Sequence, residues 1–324
     1  MIQSSIFNNT SKKQFEQSAI EIFRFQAEHC KVYQDFIRFL KVDVTTVSNI
    51  KRIPFLPIQF FKSHKVISSK SEIQQTFLSS GTTGTQSHHF VTELSLYEES
   101  YKKGFSYFYE NIEDYTVLAL LPNYLEREGS SLIYMVNDLI KKSKNSKSGF
   151  FLDDTTRLSK ILQNQLNSDK KILLLGVSYA LLDLIEAQQF NLKNSIVMET
   201  GGMKGRRKEM IREELHAILK KGFGINEIHS EYGMTELLSQ AYSKGNGIFE
   251  CPPWMDILIR DTEDPLTLLP NGKAGGMNVI DLANINSCSF IATQDLGKKH
   301  DNGTFEILGR FDNSDIRGCN LLIN

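Results

Sequence analysis

Apolar residues recur over residues 11–30 at the i, i+4, i+7 and i+8 spacing of one helix face: Phe15, Ala19, Ile22, Phe23 and Ala27. This predicts an amphipathic helix packed on a core. Ser11 and Gln14 stand three apart at its start, the spacing of a capping box. Residues 53–61, IPFLPIQFF, are almost wholly apolar but carry Pro54 and Pro57. Prolines forbid a regular helix interior, so a buried extended segment or the wall of an apolar pocket is expected. The pattern then changes to short, unbroken apolar runs at Val117–Leu121, Ile172–Leu175 and Ile196–Met198. Such runs suit parallel strands buried on both faces. Ser131–Lys141 and Ala180–Gln188 read as helices between them, which predicts βαβ units covered by helices. From Trp254 onward, Met255–Arg260, Met277–Leu282, Ser289–Thr293 and Thr304–Leu308 are strand-like and separated by Gly, Pro, Asn and Asp. An antiparallel region is expected there. The fold class is therefore α/β, with an α/β portion over about residues 1–250 and a β-rich portion over about 251–308.

Composition narrows the function classes. Lys+Arg is 37 and Asp+Glu is 38, a net charge of −1, so no broad nucleic-acid surface is expected. The four cysteines, Cys30, Cys251, Cys288 and Cys319, show no CxxC spacing, which argues against a structural zinc site or a disulfide framework. Met1–Lys13 has no signal-type apolar core and no run of about 18 apolar residues occurs, so no membrane span is expected. A reduced, cytoplasmic enzyme follows as the expectation, with an oligomer left open. The KKSKNSK stretch at 141–147 reads as a solvated loop.

Five segments carry candidate chemistry. In Leu78–Thr85, LSSGTTGT, two glycines free the backbone for close approach, and Ser79, Ser80, Thr82 and Thr83 add small donors. Phosphate oxygens are the natural guest of such a nest, although no P-loop Lys follows, and a plain surface loop has the same composition. In Met198–Lys208 a strand ends at Gly201 and Gly202 and a basic helix is expected to follow. Ligands of α/β sheets sit at such strand ends. In Ile228–Glu236, Tyr232 can stack on a planar base and Glu236 can hold Mg²⁺, which favours one or two carboxylates plus phosphate oxygens. Asp295, in Gln294–Gly297 and expected just after a strand, is suited to ribose hydroxyls, or is an ordinary turn residue. Finally, Cys319 follows Arg317 by two residues, and nearby guanidinium groups favour the nucleophilic thiolate. A buried, inert thiol is the plain alternative.

Taken together and in this order, these segments resemble the adenylate-forming superfamily of acyl-CoA synthetases, luciferases and peptide-synthetase adenylation domains. SSGTTGT resembles its phosphate-binding signature, YGMTE its Tyr-Gly-x-Thr-Glu motif, TQDLG its ribose-binding Asp motif, and GRFDNSDIRG its Gly-Arg…Asp hinge. The strings ETGGMKGRRKEM, SEYGMTELLSQAY and GRFDNSDIRGCNLL are closer still to the LuxE type, the acyl-protein synthetases of bacterial bioluminescence. The resemblance implies an adenylate-forming large domain over 1–318 and a hinge-like tail over 309–324 that carries Cys319. It also implies that the small C-terminal domain of full-length relatives, ~100 residues, is lacking.

What the resemblance implies for chemistry is specific. ATP is held by Ser80, Gly81, Thr82, Thr83, Gly84, Gly201, Gly202, Tyr232, Gly233, Thr235, Asp295 and Arg310, with Mg²⁺ on Glu236. Thr82, Thr83, Glu236 and Arg310 act in forming the acyl-adenylate of a carboxylic, fatty acid, and Cys319 takes the acyl group before a partner reductase. The acid pocket is expected to draw on IPFLPIQFF and on Gly176–Tyr179. Gln86 and Ser87 stand where the superfamily has Pro-Lys, which leaves His88 or His89 as candidates for a direct role. Three rival readings exist. One is a ligase that passes the acyl group to coenzyme A or a carrier protein without a Cys319 thioester. Another is a serine acyltransferase using Ser178, whose nucleophile elbow needs Gly where Ala180 stands. The third is a non-enzymatic nucleotide-binding subunit.

Overall fold

The computed structural model describes residues 3–9, 11–80, 85–122, 129–164, 170–201, 207 and 210–310. Helix α1 runs Lys12–His29, and the Ser11 side chain accepts from the Gln14 N–H, as the capping pair predicts. Its apolar stripe, Phe15, Ala19, Ile22, Phe23 and Ala27, is buried. The stripe also carries buried Gln26, whose amide donates to the carbonyls of Asn284 (3.0 Å) and Ile285 (2.9 Å) and accepts from Ser289 N–H (2.9 Å). The first helix is thereby fastened to the far end of the chain. Helix α2, Lys31–Phe39, follows directly.

The IPFLPIQFF segment is extended only in part. Leu56–Pro57 forms β1, and Phe60–Ser63 turns into a short helix, α3. Pro57 precedes that helix, so neither proline interrupts its hydrogen bonds. Strands β2 (Gln75–Leu78) and β3 (His88–Val91) make an antiparallel hairpin whose connection is the Ser/Thr/Gly loop. Helix α4, Leu94–Tyr109, leads to the main sheet.

The three predicted parallel strands are present as β4 (Tyr115–Leu120), β6 (Lys171–Gly176) and β7 (Ser195–Glu199), and β5 (Gly149–Phe150) and β8 (His229–Tyr232) extend the parallel part on either side. Helices α5 (Ser131–Lys142), α6 (Thr155–Gln163), α7 (Ser178–Ala187) and α8 (Arg212–Phe223) alternate with them. All six residues of β4 are buried, which explains its lack of apolar–polar alternation. Helices α7 and α8 pack closely at Gly222, where a Cβ would come within 2.6 Å of the Ile185 side chain.

The C-terminal strands are β9 (Ala241–Ser243), β10 (Ile248–Glu250), β11 (Met255–Arg260), β12 (Ala274–Asp281), β13 (Phe290–Lys299) and β14 (Phe305–Arg310). They are antiparallel, but they do not form a sheet of their own. Among the described residues one sheet runs β11-β12-β13-β14-β10-β9-β8-β7-β6-β4-β5, with β1 parallel to β13. The direction of pairing changes at β8, parallel to β7 on one side and antiparallel to β9 on the other. Asp295 lies inside β13, not after a strand as expected, because β12 and β14 pair with that stretch on both sides. Among the described residues no helix is long and apolar enough to cross a membrane.

Candidate functional site

A cavity of about 900 Å³ opens at the C-terminal ends of β7 and β8, where the sheet changes from parallel to antiparallel. Open α/β sheets bind ligands at such places. Glu199, Gly201, Tyr232, Gly233 and Glu236 line one side, Thr293, Asp295 and Arg310 the other, and Ile58 and Ser178 border it. Of the segment IPFLPIQFF only Ile58 reaches this cavity. The described residues of Met1–Lys13 and the KKSKNSK stretch are not among its lining.

Tyr232 is buried, its ring set edge-on to Phe249 and Phe305 at centroid distances of 6.3 and 6.1 Å. Its hydroxyl donates to Asp295 Oδ2 at 2.8 Å. Strand register sets Asp295 opposite Arg310, whose Nε is 3.9 Å from Asp295 Oδ1. Burial pushes the Asp295 carboxyl up, opposed by the Tyr232 bond and by the charges of Arg310 and Arg260. Arg310 is mostly exposed, so its pull on Asp295 is screened. Arg260 is buried behind the site, donating to Met277 O (2.6 Å), Asn278 Oδ1 (2.9 Å) and Thr293 O. Burial lowers its pKa to about 10.

Glu236 is buried at the cavity wall, and burial pushes its carboxyl up, with the Ser87 side chain bonded to it and Arg310 acting from further off. A cation in the cavity would oppose that desolvation and favour the ionised carboxylate. Among the described residues no group of three or more His, Cys, Asp or Glu side chains could hold a metal. Glu236 would offer Mg²⁺ one carboxylate, with phosphate oxygens and water completing the shell.

Residues 235–239, which follow β8, have little regular structure of their own, and side chains supply several of their hydrogen bonds. His89 Nδ1 is 2.8 Å from Thr235 O, and His89 Nε2 is 2.9 Å from Asn284 Oδ1. Asn284 Nδ2 donates to Glu236 O at 2.8 Å. Asp281 Oδ2 accepts from Leu238 N–H (2.8 Å) and Ser239 N–H (3.0 Å). Burial moves Asp281 up to about 6 and His89 down to about 4. Neutral His89 carries a single N–H and so donates to only one of these two oxygens, Thr235 O or Asn284 Oδ1; it is a buried support of the Thr-Glu segment rather than a residue that lines the main cavity. Thr235 likewise faces away from the main cavity, toward a smaller one.

Glu199, at the end of β7, is also buried. Desolvation raises its pKa, but the His216 and Arg212 groups, each 3.6 Å from Oε1, and the Gly201 N–H at 2.8 Å overcome this and bring it to about 2. Gly201 has φ +62°, a left-handed backbone that glycine adopts at little cost. Most of the basic stretch expected to form a helix after it, residues 202–206 and 208–209, lies outside the described residues; Arg207 pairs with Asp183 and Glu186, and α8 begins at Arg212.

Gly81, Thr82, Thr83, Gly84, Gly202 and Cys319 lie outside the described residues. Ser80 is exposed at the mouth of their loop. The hairpin there is stapled by Gln86, whose side chain donates to Ser79 O at 2.8 Å, and by Ser87 N–H to Ser79 Oγ at 2.9 Å. Gln86 thus fills the departed Pro-Lys position with a structural bond. Cys30, Cys251 and Cys288 are free thiols, and burial pushes each one up, away from the nucleophilic form. Sequence reasoning missed Ser87, Asp281, Asn284 and Arg260. Their partners at the site lie elsewhere in the chain, in residues 235–239 or on β12 and β13, and no local spacing signals them.

Residues 5–324 match the family described as acyl-protein synthetase, LuxE. The chain belongs to the LuxE acyl-protein synthetase family. A long-chain-fatty-acid–luciferin-component ligase of Photorhabdus luminescens is 35% identical over 69 residues, 21% of this chain. The match spans 59% of that relative's length. Two solved structures share the fold. ATP-bound MatB from Rhodopseudomonas palustris has a TM-score of 0.56 at 16% identity, over 75% of this chain and 49% of its own. A 2-hydroxyisobutyryl-CoA ligase in complex with R3-HIB-AMP has a TM-score of 0.67 at 9% identity, over 94% and 69%. The α/β architecture is thus that of adenylate-forming ligases, as the family resemblance implies.

Proposed function

We propose that this chain activates a carboxylic, fatty acid with ATP and passes the acyl group through Cys319 to a partner protein. The observation that carries the reading is the convergence of Tyr232, Asp295, Arg310 and Glu236 on one cavity in a LuxE-family chain. In this reading the adenine lies near Gly201, Gly202 and Tyr232, and the ribose hydroxyls reach Asp295. Arg310 approaches ribose or phosphate, and Gly233 and Thr235 shape the floor between the two cavities. The loop of Ser80, Gly81, Thr82, Thr83 and Gly84 holds the phosphates. Mg²⁺ on Glu236 supplies charge neutralisation for the departing pyrophosphate.

The acid's carboxylate oxygen attacks the α-phosphorus, the bond to the β-phosphate oxygen breaks, and pyrophosphate leaves. The Cys319 thiolate then attacks the acyl carbonyl, the bond to the phosphate oxygen breaks, and AMP leaves with a thioester formed. Arg310 and Arg317 favour the thiolate. A large domain over 1–318 with residues 309–324 as a hinge gives Cys319 its reach: seven residues from Asp312 span up to ~24 Å. The chemistry suits the reduced cytoplasm, where thiols stay free.

The test is pyrophosphate release over a panel of acids, with the intact protein mass read after each reaction. Wild type gains one acyl mass, and Cys319→Ser releases pyrophosphate without gaining it. Acylation retained in the Ser variant removes Cys319. Acyl transfer to coenzyme A or a carrier with no protein adduct favours the ligase alternative.

A further inference from the structure

Strand β8 alternates its side chains, so Tyr232 faces the nucleotide cavity while Glu231 faces the other side. There it borders a second cavity of about 180 Å³. The two cavities share Gly233 and Met234, so they meet beside the place where a carboxylate must approach the α-phosphate. If the adenylation reading holds, the body of the acid occupies this second cavity. Its space equals that of about six waters, enough for the carboxyl end of an acid and its first carbons.

Leu78, Leu121, Leu132, Ile133 and Met135 give the cavity an apolar part that suits carbon, but a bare methylene does not suit the carboxylate that also borders it. The Glu231 carboxylate turns back beneath Gly233, where an added Cβ would lie 2.5 Å from Oε1. The Thr200 side chain bonds to it, and Glu199 adds negative charge nearby. Ser80, Thr235 and Gln240 add further polar groups. Among the described residues lining the cavity there is no Lys, Arg or His. A methylene chain would strip water from this carboxylate and return no hydrogen bond, an unfavourable exchange. Burial brings the Glu231 carboxyl to about 7, so at neutral pH it both accepts and donates.

We propose that the acid this chain activates carries a hydrogen-bond donor, a hydroxyl or an amino group, near its carboxyl end, and that Glu231 receives it. Glu231 is then a specificity-determining residue, which fits the rule that a site built for a polar substituent strongly rejects the analogue lacking it.

The test is ATP–pyrophosphate exchange with straight-chain acids of four and eight carbons, each beside its 2-hydroxy, 3-hydroxy and 3-amino analogue. In the wild type at least one donor-bearing analogue exceeds its plain parent by about tenfold or more in kcat/KM. Glu231→Leu reverses that preference and Glu231→Gln narrows it. The hydroxy and amino arms tell the two donors apart. Plain acids matching or beating every analogue in the wild type overturns the proposal while leaving adenylation intact. A preference unchanged in both variants overturns the role of Glu231. Exchange with no acid overturns adenylation, and this proposal with it. Circular dichroism melts of both variants check folding, and if the Leu variant does not fold, the wild-type ratios and the Gln variant decide.

Discussion

At the residue scale, the Tyr232–Asp295 pair gives the sharpest test of the nucleotide reading. Asp295 has one oxygen held by the Tyr232 hydroxyl and the other directed toward Arg310. A ribose must therefore compete with, or add to, an existing bond. Asp295→Asn keeps the shape and removes the negative charge, so KM for ATP should rise about tenfold, a loss near 1.4 kcal/mol. Tyr232→Phe frees one Asp295 oxygen for the ribose, so its effect on KM should be smaller, while the fold loses about 1–2 kcal/mol with the buried bond. Steady-state ATP titrations and thermal melts of both variants check this, and an Asn variant with wild-type KM would take Asp295 out of the ribose site. Both residues were legible in the sequence as parts of short motifs. Their mutual bond was not, because it depends on strand register over 63 residues of separation. Glu231 was silent for a related reason: the direction of a side chain on a four-residue strand depends on which neighbours pair with it.

At the element scale, the sequence was informative wherever hydrophobic pattern alone decides structure. Helix α1 with its Ser11 cap and the buried strands β4, β6 and β7 are such cases. It was less informative where tertiary pairing overrides local signals. The Gln294–Gly297 stretch reads as a turn, yet it continues β13 because ladders on both sides supply its hydrogen bonds. Residues 235–239 are the extreme case, held by His89 from β3, Asn284 and Asp281. His89 makes this support sensitive to pH. Its ordinary pKa of 6.5 falls to about 4 on burial, so the unfolded chain binds the proton more readily. The stability from neutral His89 is complete above about pH 6.5 and is lost as pH falls toward 4. By pH 5 the wild type has lost up to about 2 kcal/mol on this account, a loss His89→Gln does not share. The destabilisation caused by His89→Gln should therefore be smaller at pH 5 than at pH 7.5. Denaturant melts of both proteins at the two pH values measure it, and an equal gap at both would remove His89 as the source.

At the scale of the whole molecule, the change in texture near Trp254 suggests two portions, but the sheet runs through both without a break. Strand β8 joins β7 to β9, β10 joins β9 to β14, and β1, near the N-terminus, pairs with β13. Trp254, the single tryptophan, sits at the seam. It is buried, its indole N–H donates to Ser100 Oγ of α4 at 3.0 Å, and its ring meets Phe7 edge-on at 5.0 Å. Its fluorescence therefore reports on contacts between the N-terminal helices and the β-rich strands, while far-UV circular dichroism reports on all helices together. If the shared sheet makes one cooperative unit, the two probes should give coincident urea transitions with one midpoint and one slope. On the proposed reading ATP fills the cavity between β8 and β13 and touches both portions, so at 100 times its Kd it should stabilise the whole unit by about 2.7 kcal/mol. Both probes should then move to higher urea together. A tryptophan transition that precedes the loss of helix signal would mean that the strands after Trp254 detach first. A midpoint that shifts with ATP for one probe only would place the nucleotide on a single portion rather than across the seam.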